Sequence, residues 1–119
     1  MLNLEDVKSI YFIGIGGVGM SGAAGIASQS GFEVSGSDSK AIYDPAKSVL
    51  DNNHIAYTIG YDAENVKNAH ADLYIASAGE GMNNPEVAYL QEEGIELHSL
   101  SELLGAIAQD KLRIVVAGT

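Results

Sequence analysis

Short runs rich in β-branched and aromatic residues alternate along this chain with stretches that repeat at helical spacing. That alternation is the signature of a parallel sheet covered by crossover helices. Strands are predicted at Ser9 to Ile13, Glu33 to Ser37, Ala56 to Ile59, Asp72 to Ser77, Ile95 to Leu97 and Arg113 to Ala117. Helices are predicted at about Val18 to Ser30, Asp44 to Asn52, Ala63 to Lys67, Pro85 to Glu93 and Leu100 to Gln109. Local punctuation supports these boundaries. Gly31 and Gly94 each suit the left-handed position that closes a helix. Asn84-Pro85-Glu86 offers a capping side chain, a preset first helical residue and an early negative charge. Ser99-Leu100-Ser101-Glu102 has the spacing of a capping box. The fold class expected is α/β, a three-layer sandwich around a mainly parallel sheet of five to six strands.

Composition narrows the function classes. The chain has 119 residues, 46% of them hydrophobic, enough for one real core and too few for two ordinary domains. Sixteen acidic against six basic side chains give a formal charge of -10, which argues against nucleic acid or an anionic membrane as partner. An anionic ligand must then be held by local geometry. The absence of cysteine excludes disulfides, thiol nucleophiles and thiolate metal sites. The apolar stretch Ile10 to Met20 is about half of the roughly 20 residues a membrane span needs, and Glu5 and Asp6 oppose a signal peptide. A cytoplasmic setting is expected.

The chemistry is concentrated in Gly14-Ile15-Gly16-Gly17-Val18-Gly19, which satisfies G-x-G-x-x-G between a predicted strand and a predicted helix. In that pattern the first glycine permits a tight turn, the second lets a phosphate approach the backbone, and the third allows close packing of helix and strand. The first helical amides then point at a bound diphosphate. Gly22 and Gly25, beside Ala23, Ala24 and Ala27, are expected to bring the helix close to the sheet. Asp38 follows Gly19 by nineteen residues, the place for a carboxylate that accepts hydrogen bonds from ribose hydroxyls. NAD and other ribonucleotides are not separated by Asp38 alone. In a sheet ordered 3-2-1-4-5, Ser77 would flank the ligand crevice, whereas Gly79 and Gly81 read equally well as a plain turn. His54, His70 and His98 lack metal-site spacing and are read as surface or capping residues, so no metal ligand and no catalytic residue is assigned.

Taken together, Phe12-Ile13-Gly14-Ile15-Gly16-Gly17-Val18-Gly19-Met20-Ser21-Gly22, Val34-Ser35-Gly36-Ser37-Asp38, Asn84-Pro85-Glu86 and Val115-Val116-Ala117-Gly118-Thr119 resemble the N-terminal domain of the murein peptide ligases (Mur ligases). The likeness is greatest to the members that join L-alanine to UDP-N-acetylmuramate. It implies a Rossmann-like domain, over residues 1–112, that holds the UDP part of the substrate. By motif, Gly16, Gly17, Val18, Gly19 and Met20 would contact the diphosphate, Asp38 the ribose, and Ser37 and Ser77 the uridine. The family's ATP loop reads Gly-Thr-x-Gly-Lys-Thr after a strand. Residues 113–119 would be that strand and loop start, ending at Gly118 and Thr119, as expected of an excised fragment that binds without catalysing. For the parent enzyme the resemblance implies ATP and magnesium, an acyl phosphate, and attack by L-alanine to form an amide in peptidoglycan biosynthesis. Gly60-Tyr61 stands where the family commonly has Gly-His, and Gly-Tyr-Asp resembles the sister ligase that recycles murein tripeptide. That ligase, an NAD-binding module of a dehydrogenase or regulator, and an interaction domain without ligand are the alternatives.

Overall fold

The computed structural model describes residues 2–77 and 79–117; Met1, Ala78, Gly118 and Thr119 lie outside the described residues. The elements follow in the order β1 (Ser9–Ile13), α1 (Val18–Gln29), β2 (Glu33–Asp38), α2 (Ala46–Asn52), β3 (Ala56–Ile59), α3 (Ala63–Ala69), β4 (Leu73–Ala76), α4 (Pro85–Glu92), β5 (Leu97–His98) and α5 (Leu100–Ala117). The sheet has the order β3-β2-β1-β4-β5, and each pairing in it is parallel.

The period of two along β1 divides the core between the two faces of the sheet. Ile10 and Phe12 join Ile15, Met20, Ala23, Ala24, Ala27, Leu50, Ile75 and Leu103 in one apolar cluster, under α1, α2 and α5. Tyr11 and Ile13 point the other way and meet Val66, Tyr74, Val87 and Leu90, under α3 and α4. Both faces are therefore buried, and β1 and β4 read as continuous apolar runs for that reason.

Cap chemistry sets several boundaries as expected. The Asn84 side chain accepts from the Glu86 and Val87 amides at the start of α4. At the start of α5, Ser99 Oγ accepts from the Glu102 amide at 3.1 Å while Glu102 Oε1 accepts from the Ser99 amide at 3.0 Å. That reciprocal pair is the capping box. Gly31 and Gly94 take φ of 101° and 71°, the conformation that ends α1 and α4.

Three expectations are corrected. First, Arg113 to Ala117, read as a sixth strand, continues α5, which runs unbroken from Leu100. Strand-type composition selects a strand only where a sheet edge offers partners, and this sheet ends in the two-residue β5. Second, β5 falls at Leu97–His98, two residues later than Ile95, because Gly94 and the turn after α4 come between. Third, the helix glycines do not face the sheet. A Cβ at Gly25 would lie 2.9 Å from Val49 Cγ1, so this glycine lets α1 lie against α2, and Gly22 meets nothing within 4 Å. The small residues turned to the sheet are the buried alanines Ala23, Ala24 and Ala27.

Candidate functional site

The C-terminal ends of β1, β2 and β4 form a corner around the glycine loop. Gly14 has φ of 88°, where a side chain would be strained, and it starts the turn out of β1. The turn is pinned from β2: the Ser37 carbonyl accepts from the amides of Gly14 at 2.8 Å and Ile15 at 2.9 Å. Gly16 follows at a place where a Cβ would lie 2.7 Å from Asp38 Oδ2 and 2.8 Å from Ile42 Cγ1. Only glycine fits there. At Gly19 a Cβ would approach Leu100 Cδ2 at 3.2 Å, so the third glycine of the motif makes room for α5 rather than for a strand.

The start of α1 is open. Gly17 is its N-cap and supplies no side-chain hydrogen bond. The amides of Val18, Gly19 and Met20, in the first turn, therefore have neither an intrahelical acceptor nor a cap. Gly17, Val18 and Gly19 are exposed, Val18 at 74%, whereas the Met20 side chain is anchored inside at 4%. An anion placed here would meet oriented N–H groups and the positive end of a twelve-residue helix.

Asp38 stands at this corner as expected, and it also holds the loop. Its Oδ2 accepts from the Gly16 amide at 2.8 Å and its Oδ1 from the Ser39 amide at 2.7 Å. A carboxylate has about four acceptor sites, so lone pairs remain for ribose hydroxyls. Gly16 and Gly17 differ from the expectation: the Gly16 amide is taken by Asp38, and the Gly17 amide donates to the Gly14 carbonyl at 3.3 Å. The amides left facing outward are those of the next three residues.

Ser77 joins the corner, its Oγ 3.0 Å from the position of a Gly14 Cβ. Tyr61, at the end of β3, reaches across to the same place, its hydroxyl 3.6 Å from that position, and donates to Glu80 Oε1 at 3.1 Å. Burial, followed by the charges of Asp38 and Glu80, pushes the Tyr61 phenol well above its ordinary range. It therefore keeps its proton and remains a donor. Ser37 is corrected: it is fully buried, and its hydroxyl donates to Glu86 Oε1 at 2.6 Å instead of facing a ligand.

Glu86 is the residue that sequence reasoning missed. It is completely buried, with no cationic side chain bound to it among the described residues. Oε1 accepts from Ser37 Oγ and from Tyr11 Oη at 3.0 Å; Oε2 accepts from the Asp62 amide at 3.1 Å and Asn65 Nδ2 at 2.9 Å. Burying a lone carboxylate costs several kcal/mol, and four charge-assisted bonds at about 1.5–3 kcal/mol each offset it. Burial first, and then the Glu86 charge, push the Tyr11 phenol up, so it stays a donor. No local pattern marks Glu86, because the side chains that bind it, Tyr11 on β1 and Ser37 on β2, are distant in the chain.

The Mur ligase family, catalytic domain, matches residues 9–112. The UDP-N-acetylmuramate–L-alanine ligase of Fusobacterium nucleatum is 39% identical over 116 residues, 98% of this chain and 24% of that protein. The corresponding ligase of Clostridium tetani is 38% identical over 117 residues, 98% of this chain and 25% of that protein. Among solved structures, the UDP-N-acetylmuramate:L-alanyl-gamma-D-glutamyl-meso-diaminopimelate ligase from Neisseria meningitides aligns with a TM-score of 0.72 at 35% identity, over 79% of this chain and 29% of that one. The UDP-N-acetylmuramate-alanine ligase from Thermotoga maritima aligns with a TM-score of 0.71 at 26% identity, over 90% of this chain and 23% of that one. The chain thus spans about a quarter of the length of the curated relatives it matches. No helix among the described residues is long and apolar enough to cross a membrane. With a glycine corner on a parallel sheet, an open helix start and a family match that covers both, the chain belongs to the Mur ligase family.

Proposed function

We propose that this chain is the N-terminal, substrate-binding domain of a UDP-N-acetylmuramate:L-alanine ligase, acting in the cytoplasm in peptidoglycan biosynthesis. The amides of Val18, Gly19 and Met20 bind the diphosphate of UDP-N-acetylmuramate, Asp38 accepts from the ribose hydroxyls, and Ser77 faces the uridine. The observation that carries this reading is the uncapped, exposed start of α1 beside a carboxylate fixed 2.8 Å from the Gly16 amide. It explains how a chain of charge -10 can take an anion, because the attraction comes from oriented amides rather than net charge. ATP, magnesium and L-alanine belong to the parent enzyme, which forms the amide bond; Gly118 and Thr119, assigned to its ATP loop, lie outside the described residues.

Thermal unfolding with ligands tests the reading. UDP or UDP-N-acetylmuramate raises the melting temperature, by the equivalent of about 2.7 kcal/mol at a hundred times Kd, while NAD and ATP do little. A larger shift with NAD overturns it. Gly17→Val serves as the matching variant. Its φ of -66° suits valine, and a Cβ there meets its nearest atom, the Gly14 carbonyl oxygen, at 3.8 Å. The variant therefore folds normally and loses the UDP-induced shift, because its side chain projects where the diphosphate must approach.

A further inference from the structure

The buried carboxylate of Glu86 is connected, bond by bond, to both walls of the corner. Toward the glycine loop the path is short. Ser37 Oγ donates to Glu86 Oε1, and the carbonyl of the same Ser37 accepts from the two amides, Gly14 and Ile15, that make the turn out of β1. The next residue is Asp38, which holds the Gly16 amide. The position of one side chain thus fixes three consecutive amides of the loop.

Toward the opposite wall the carboxylate has one path, and a second starts from the Glu86 main chain. Glu86 Oε2 accepts from the Asp62 amide and from Asn65 Nδ2, and these bonds fix the turn that carries Tyr61. Independently of the carboxylate, Asn84 Oδ1 accepts from the Glu86 backbone amide while Asn84 Nδ2 donates to Glu80 Oε2 at 2.9 Å, and Glu80 in turn receives the Tyr61 hydroxyl. Tyr61 and Glu80 therefore meet across the end of β1, Tyr61 beside the turn that the Glu86 carboxylate fixes and Glu80 held by the α4 cap residue Asn84. The apolar cluster on the other face shows that this sheet can be covered without buried charge. A carboxylate retained here needs a reason, and directional acceptors supply one: hydrocarbon fills space, whereas two oxygens with four donors set angles.

We propose that Glu86 is a positioning residue for the nucleotide, its carboxylate setting the glycine corner through Ser37 and the facing wall through the turn at Asp62 and Asn65, without touching the ligand. This rests on the reading of the corner as the UDP site. Glu86→Gln keeps the size but brings an NH2 group against donors that need an acceptor. Ser37→Ala removes only the arm to the loop and keeps the Ser37 carbonyl. Leu90→Ala is the control, a packing loss on the same face outside the network.

The experiment measures the UDP dissociation constant and the backbone amide spectrum of the 119-residue chain, at a temperature where circular dichroism shows each variant folded. Glu86→Gln weakens UDP binding by about tenfold or more and shifts the Gly14, Ile15 and Gly16 amides. Ser37→Ala does the same to a smaller extent, and Leu90→Ala leaves the affinity of the folded molecule unchanged. If Glu86→Gln does not fold, Ser37→Ala decides the matter by the same two readouts. Folded Glu86→Gln with wild-type affinity and unmoved loop amides overturns the proposal, as does an equal loss of affinity in Leu90→Ala. Failure of the wild-type chain to bind UDP defeats the reading of the site instead, and the loop amide shifts then decide by themselves whether Glu86 sets the corner.

Discussion

Under α1, α2 and α5 the sheet meets hydrocarbon: Ile10, Phe12, Ile15, Leu50, Ile75 and Leu103 are almost completely buried with no polar partner to satisfy. Under α3 and α4 the apolar cluster is smaller, and buried among it are Glu86, Ser37 and Asn84 together with the hydroxyl of Tyr11. Neighbouring residues of one strand, Tyr11 and Phe12, thus serve two kinds of interior. The first face supplies cohesion through non-directional burial, which tolerates small shifts. The second supplies geometry through hydrogen bonds, which do not. The loop that holds the candidate site emerges where the two meet.

Substitutions at adjacent positions sharpen the contrast. Phe12→Ala opens a cavity in the hydrocarbon face and lowers stability by about 3–5 kcal/mol, read from urea denaturation. Gly36→Ala comes next. Its Cβ would lie 2.5 Å from the Phe12 carbonyl oxygen and 2.7 Å from Ile15 Cδ1, so β1 and β2 must separate, with an expected loss of about 1–3 kcal/mol. Tyr11→Phe removes one of the four donors to Glu86 and lowers stability by about 1.5 kcal/mol. A Tyr11→Phe loss as large as that of Phe12→Ala would show that the two interiors do not differ in the way described.

The smallest effect is in acid. Glu102 is held down to about 2 by its hydrogen bond with His98 and by the Ser99 amide, against an ordinary value of 4.5. Ser48 lowers Asp44, and the Lys8 and Ser9 amides lower Asp72. Each folded-state value lies below the unfolded one, so the stabilisation is complete above the ordinary carboxylate value and is lost as pH falls from there through the lowered folded-state value. Melting temperature should therefore decline from about pH 4.5 toward about pH 2, and Glu102→Gln should flatten part of that decline while changing little at neutral pH. These three groups are exposed, so each contributes little, and an acid transition unaffected by Glu102→Gln would contradict the role given to Glu102.

Much of the fold was legible because local chemistry decides it. The short β-type runs of β1 and β3, the Asn84 cap and the Ser99–Glu102 box each involve residues within a few positions of one another, and the structure has them where the sequence puts them. The last segment was misread for the opposite reason. Whether Arg113 to Ala117 is strand or helix depends on available sheet partners, which composition does not state. At the site, the Gly14 turn and the nearness of Asp38 were legible in the spacing. Ser37 and Glu86 were not: their side chains are 49 positions apart, and Tyr11 reaches Glu86 across 75. Read locally, Glu86 is an acidic residue at a helix start; only the folded sheet brings its four donors around it.

The central claim is that the open first turn of α1 takes the diphosphate. The direct measurement is a titration of the chain with UDP while the backbone amide signals are followed. The account predicts saturable shifts, largest at Val18, Gly19 and Met20, with smaller ones at Gly16 and Asp38, all abolished in Gly17→Val. Saturable binding that leaves those three amides unmoved would contradict it.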